Sequence, residues 1–229
     1  CGEVLVAQVE VPMLVGEAAV NGVNYATFAE AYAVANAGDT VVLTKDLTLN
    51  AILTIDKAIT LDGNGYTLTS TAGRAINVDV NGAVAIENLT VVASGERAIN
   101  VINKPATLTI DNVTATAANY AINVASSAGA ANITVNDSDL TGLAVVNVAS
   151  ANVVMEINDT TLTNVDKSAT EYYGAITLGY DATNTKVTVN GGTLAQESIE
   201  KFVASVIVKD KVEGYYKTLA EAFAAAKAG

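Results

Sequence analysis

The sequence predicts an all-β chain wound as a parallel solenoid of about six to seven coils, with a short capping helix near its N-terminus. Two tracks of internal repeats and one helix signature predict it. The first track is Arg74-Ala75-Ile76-Asn77-Val78, Arg97-Ala98-Ile99-Asn100-Val101, Tyr120-Ala121-Ile122-Asn123-Val124 and Ala144-Val145-Val146-Asn147-Val148, with a looser Gly174-Ala175-Ile176-Thr177-Leu178. Its central apolar residues, 76, 99, 122, 146 and 176, step by 23, 23, 24 and 30. The second is Ile59-Thr60-Leu61-Asp62, Val84-Ala85-Ile86-Glu87, Leu108-Thr109-Ile110-Asp111, Ile133-Thr134-Val135-Asn136, Met155-Glu156-Ile157-Asn158 and Val187-Thr188-Val189-Asn190. There the third residues step by 25, 24, 25, 22 and 32.

In both tracks apolar side chains two apart enclose a small polar one, which is the period of a strand and not of a helix. A repeat of 22 to 25 residues that returns through Asn, Gly, Ser and Asp turns fits one coil of a parallel β-solenoid, each coil giving one rung to each sheet. Leucine-rich repeats share the period but need leucine at most apolar slots and a helical return segment. At about 4.8 Å per rung the coils stack roughly 30 Å tall. Ile76, Ile99, Ile122 and Val146 are expected to form an inward aliphatic ladder. Asn77, Asn100, Asn123 and Asn147 then stack on the opposite side, amide to amide along the column.

Taken in chain order, residues 1–19 read as N-terminal strands, with Val4 to Val11 alternating, and equally as the tail of a preceding repeat. Cys1 is the only cysteine, which excludes an internal disulfide; a terminal cysteine is also where a lipoprotein is acylated. Thr27-Phe28-Ala29-Glu30 has capping-box spacing, and Phe28, Ala31, Tyr32 and Ala35 share one face, giving a capping helix over 27–37 that stops at Gly38. A solenoid needs such a cover, because bare terminal rungs pair with other chains. Asp39-Thr40-Val41-Val42-Leu43 begins the first rung, and the solenoid domain spans 20–210. The helix signature returns as Thr218-Leu219-Ala220-Glu221-Ala222-Phe223, 191 positions after Thr27. The segment 211–229 is therefore expected to be a C-terminal helix, either an end cap or the start of a following repeat.

Composition narrows the chemistry. The 229 residues carry 12 Lys and Arg against 24 Asp and Glu, a net charge of −12, with no histidine and no tryptophan. Ser-His-Asp and Cys-His nucleophiles and imidazole-ligated metals are excluded, and one cysteine cannot make a thiolate metal site. An acidic chain with only Arg74 and Arg97 as arginines lacks a basic patch for nucleic acid. No apolar run approaches the roughly twenty residues of a membrane-spanning helix.

The stretch Tyr25 to Leu43, the segment Ile59-Thr60-Leu61-Asp62-Gly63-Asn64-Gly65-Tyr66-Thr67-Leu68 and the coil period together resemble the right-handed parallel β-helix, or pectin-lyase-like, superfamily, specifically the small modules repeated in bacterial surface proteins. The resemblance covers roughly residues 20–210. It implies a right-handed coil and an extracellular or cell-surface location, but not one activity: the superfamily includes lyases, polygalacturonases, tailspikes, adhesins and inert stalks. Its enzymes typically use clustered aspartates on neighbouring coils, assisted by His, Arg or Lys. Asp62, Glu87 and Asp111 form such a column, yet Asn136, Asn158 and Asn190 continue it, which marks a turn-forming position that tolerates charge. The Gly-His-Gly and Asp-Asp patterns of polygalacturonases and the arginine-rich segments of pectate lyases are absent. No catalytic residue is assigned.

Three like charges at rung spacing favour a counter-ion, and calcium, an oxygen-seeking cation, is the one expected at Asp62, Glu87 and Asp111. Arg74, Arg97, Tyr120 and Glu96 are expected to stack and pair among themselves. The coil with the 32-residue step carries an excursion with Asp166, Glu171, Tyr172 and Tyr173, followed by Tyr180. Tyrosine faces pack on sugar C–H groups while carboxylates accept hydroxyl hydrogen bonds, so these five are the expected ligand contacts. The threonine column Thr109, Thr134 and Thr188 is interrupted by Ala85 and Glu156, so no flat threonine face is expected there. The expected role is a non-catalytic stalk or adhesive repeat for a glycan or surface protein, able to self-associate through its solenoid ends. The alternative is a polysaccharide lyase or glycoside hydrolase acting on acidic polysaccharide.

Overall fold

The computed structural model describes residues 16–165, 174–179, 181–195, 204–208 and 211–216. Period-two alternation decides the architecture. Each coil runs through three short strands, as in Ala83–Glu87, Thr90–Ala93 and Arg97–Val101, and the next coil repeats them as Thr107–Asp111, Thr114–Thr116 and Tyr120–Val124. Strands pair in parallel with their equivalents one coil away, in sheets of seven, seven and six such strands, the first of them enlarged to nine by an N-terminal hairpin. The two repeat tracks are the first and third of these sheets. The second, with Leu68, Val91, Ala115, Leu140 and Leu162 facing inward, is a further track.

Register follows the repeat residue by residue. Ile76, Ile99 and Ile122 are direct partners, then Val146, and all four are completely buried. Leu61, Ile86, Ile110, Val135 and Ile157 make the equivalent buried ladder of the first sheet. Burying one such side chain contributes about 1.5–3 kcal/mol, so the repeated ladders are the main source of stability.

Beside the third-sheet ladder, the Nδ2 of Asn100, Asn123 and Asn147 donates to the Oδ1 of Asn77, Asn100 and Asn123 at 2.8, 2.6 and 2.7 Å. Asn100 is 0% exposed, so its amide has only its ladder neighbours to satisfy it. A second amide ladder, not anticipated from sequence, runs through Asn136, Asn158 and Asn190 at 2.9 and 2.8 Å.

From Thr60–Asp62 onward the corner after each first-sheet strand turns through a positive φ: Asn64 (50°), Asn88 (50°), Asn112 (51°), Asp137 (46°), Asp159 (45°) and Gly191 (73°). Asn and Asp tolerate that left-handed conformation better than other non-glycine residues, which is why Asn and Asp punctuate the repeat. At the first of these corners Gly63 is required by close approach. A Cβ there would lie 2.6 Å from the Leu89 Cα on the next coil.

At the N-terminal end a hairpin of Ala18–Val20 and Val23–Tyr25 extends the first sheet antiparallel to Thr40–Leu43. Helix α1, Phe28–Val34, buries Phe28 and Ala31. Its capping box is complete, with the Glu30 N–H donating to Thr27 Oγ1 and the Thr27 N–H donating to Glu30 Oε2 at 3.2 and 3.1 Å. The helix is shorter than the 27–37 expected. Ala35 is already extended (φ −63°, ψ 139°), and the Lys57 ammonium takes the carbonyls of Tyr32, Ala33 and Ala35 left open at that end, at 2.7, 3.0 and 2.8 Å. A cation at a helix C-terminus also complements its dipole.

At the other end residues 204–208 and 211–216 form an antiparallel hairpin in its own sheet, and among the described residues the last strand of the parallel ladders is Thr193–Ala195. The first six residues assigned to a C-terminal helix are a strand, and the helix signature at Thr218 lies outside the described residues, as do residues 1–15.

Candidate functional site

The outward residues of the first sheet form columns two residues apart along each strand. One column is Thr60, Ala85, Thr109, Thr134, Glu156 and Thr188, with alanine and glutamate interrupting threonine as the sequence indicates. The next is Asp62, Glu87 and Asp111, continued by Asn136, Asn158 and Asn190. Where Ala58, Ala83 and Ala85 replace bulkier side chains the face sinks into a shallow groove of about 340 Å³, bordered by Thr60, Thr107 and Thr109. Strand geometry puts the three carboxylates about 7 Å along the same face from Thr60, Ala85 and Thr109. The groove thus has an apolar floor, hydroxyl borders and an acidic flank.

The acids are not equivalent. The Asp62 Oδ1 accepts from the Asn64 N–H at 2.8 Å and from the Asn88 Nδ2 at 3.2 Å, so this carboxylate holds the corner. Asn88 in turn accepts from the Asn112 Nδ2 at 2.9 Å. Glu87 lies between Asp62 and Asp111, and burial together with those two charges pushes its carboxyl above the usual range. The three lie in a line along the solenoid axis and not around a point. Among the described residues no group of three or more acidic side chains gathers as a metal-ligand set. Calcium takes about six to eight oxygens, so this column alone does not fit it.

Arg74 and Arg97 divide the stacking and pairing expected of them. The Arg74 Nε donates to Glu96 Oε2 at 2.7 Å, holding the Glu96 carboxyl below its usual range. The Arg97 guanidinium sits 5.7 Å from the Tyr120 ring centroid. Arg74 is thus paired within the column, whereas the buried Arg97 Nε has no hydrogen-bond partner among the described residues. Asp166, Glu171, Tyr172, Tyr173 and Tyr180 lie outside the described residues.

A surface missed in sequence lies on the second sheet. Its outward columns are Thr67, Thr90, Thr114, Asp139, Thr161 and Thr193, beside Thr48, Thr69, Val92, Thr116, Thr141 and Thr163. Asp139 is the one charged residue in these columns, so the face repeats hydroxyl and methyl groups at rung spacing. The signal was the Thr-x-Thr tripeptides Thr67-Leu68-Thr69, Thr114-Ala115-Thr116 and Thr161-Leu162-Thr163, overshadowed by the threonines of the first sheet. Chemically, both faces suit many weak hydrogen bonds to an extended, repetitive ligand.

Comparison with protein-family profiles, with curated proteins and with solved structures found no match in any of the three.

Proposed function

We propose that the chain is a non-catalytic, extracellular structural and adhesive module of a bacterial surface protein, related to the pectin-lyase-like solenoids, and that it binds a glycan on the outer face of its first sheet. The observation that carries this reading is the groove over Ala58, Ala83 and Ala85 flanked by the registered Asp62, Glu87 and Asp111 column. An apolar floor accepts sugar C–H faces, and carboxylates beside it accept hydroxyl hydrogen bonds. The ladders beneath hold that face rigid, which lowers the entropy lost on binding. The excursion with Asp166, Glu171, Tyr172, Tyr173 and Tyr180 is a second place for ligand contacts.

The test is binding on an array of neutral and acidic glycans, with and without calcium, for the native chain, Ala85→Trp and the double variant Tyr172→Ala, Tyr173→Ala. Loss in Ala85→Trp supports the groove, and loss only in the tyrosine variant moves the site to the excursion. Binding to immobilised surface protein with no glycan signal would replace the ligand class. Calcium is a variable of the test because an acidic glycan would bring further oxygen donors to the column.

A lyase or hydrolase is the second reading. One observation favours it: Glu87 is the direct register partner of both Asp62 and Asp111, which sets carboxyls on adjacent rungs as an acid–base pair requires. The hydrogen bonds that commit Asp62 to the corner count against it.

A further inference from the structure

The N-terminal cap is built in a fixed chain order of hairpin, capping-box helix and first rung. Ala18–Val20 pairs antiparallel with Val23–Tyr25 on one edge and with Thr40–Leu43 on the other. Ala18 and Tyr25 are register partners, and Thr27, two residues after Tyr25, opens α1.

The same order begins again at Ala204. Ala204–Val208 pairs antiparallel with Lys211–Tyr216, and Ala204 is the register partner of Tyr216 as Ala18 is of Tyr25. Both first strands open Ala-x-Val, as Ala18-Ala19-Val20 and Ala204-Ser205-Val206. Thr218 follows Tyr216 at the interval by which Thr27 follows Tyr25, and Thr218-Leu219-Ala220-Glu221-Ala222-Phe223 repeats Thr27-Phe28-Ala29-Glu30-Ala31-Tyr32. Beyond Tyr216 the correspondence is one of sequence. The second hairpin is longer, with extra pairs Ile207–Val212 and Val208–Lys211 beyond an irregularity between Val206 and Ile207.

The two hairpins differ in one consequential respect. The first is part of the nine-stranded solenoid sheet, whereas the second makes a two-stranded sheet of its own. Among the described residues, no rung pairs with the outer edge of Ala204–Val208, the edge that in the first hairpin receives Thr40–Leu43.

We infer that residues 204–229 are a second N-terminal cap, and that the outer edge of Ala204–Val208 is the seat for the first rung of another parallel solenoid with the pattern of Asp39–Leu43. The partner is thus a solenoid of this chain's own type, joined by antiparallel main-chain hydrogen bonds and selected by the alternation of its rung. Such an edge is adhesive by nature, and a rung of this kind satisfies it as one does at the N-terminus.

Two experiments test the assignment. In a chimera, residues 204–229 directly precede Asp39, so that Gly229 takes the place of Gly38. It is compared by thermal unfolding with the parent and with a chain that begins bare at Asp39. The chimera is expected to unfold cooperatively within a few degrees of the parent and well above the bare chain. A chimera no more stable than the bare chain overturns the assignment. In the second, the chain is shortened to end at residue 203. An unchanged solenoid transition is expected, because the second cap serves another rung. A lowered transition shows that the segment covers this solenoid instead, and overturns the proposal without recourse to the chimera.

Discussion

Asn100 illustrates how much a single side chain carries in a repeated structure. It donates to Asn77 and accepts from Asn123 while completely buried, so its removal strands the Asn77 Oδ1 and the Asn123 Nδ2, two atoms that are themselves nearly buried. Asn100→Ala is expected to cost about 2–4 kcal/mol, at about 1–3 kcal/mol per stranded buried group. Asn147→Ala, at the end of the ladder, is expected to cost about half as much; urea unfolding of the two variants measures the difference. Glu87 gives the opposite sign. Its carboxyl is raised, so the folded state holds the proton more tightly than the unfolded state. Its contribution is fully present below the unfolded pKa and is lost as pH rises through the folded one. Glu87→Gln should therefore raise stability at neutral pH and flatten the decline just above the ordinary carboxylate range. Urea midpoints collected between about pH 4 and 7 follow this, and a variant less stable than the parent at pH 7 would refute it. The column was legible in the sequence from Asp62, Glu87 and Asp111. That Asp62 also pins the corner was not, because its partners Asn64 and Asn88 meet it only once the coils stack.

The N-terminal cap is fastened to the first coil largely through Asp56 and Lys57. Lys57 closes the end of α1 and also lies 4.9 Å from the Tyr32 ring centroid. The Tyr32 hydroxyl donates to the Asp56 carboxylate at 2.7 Å and accepts from the Asp56 N–H at 2.9 Å. Burial, with that carboxylate second, pushes the Tyr32 phenol up to about 12. As a raised acid its contribution is whole below the ordinary tyrosine range and is lost as pH climbs through about 12. Lys57→Met removes the charge and three hydrogen bonds, and faster hydrogen exchange confined to residues 28–35 is the expected result. Equal acceleration across the central coils would show that the cap and the solenoid open together. Gly63→Ala acts at the opposite side of a coil: its Cβ meets backbone, so the first two corners must separate, at a cost of about 1–3 kcal/mol in thermal unfolding. The helix was legible from Thr27, Glu30 and the Phe28 face. Its early end was not, since Lys57 lies 22 residues beyond Ala35 and reaches it only through the coil.

For the whole molecule, repetition made the fold legible and the function hard to read. Ile76, Ile99 and Ile122 announce their own pairing because each rung is the same solution to the same packing problem. The second sheet escaped notice because its inward residues vary among Leu68, Val91 and Ala115, so its period is weaker in sequence than in space. Outward residues are free to vary, and the groove arises from alanines at 58, 83 and 85 that look like ordinary strand filler until three coils lie side by side. The same scale decides between an adhesive module and an enzyme, since both could use an acidic column on a rigid face. The most direct measurement is turnover on polyuronides and other acidic polysaccharides, with and without calcium, followed by unsaturated products and new reducing ends. A non-catalytic module yields neither at any enzyme concentration. Product formation proportional to protein and abolished by Glu87→Gln would contradict the account.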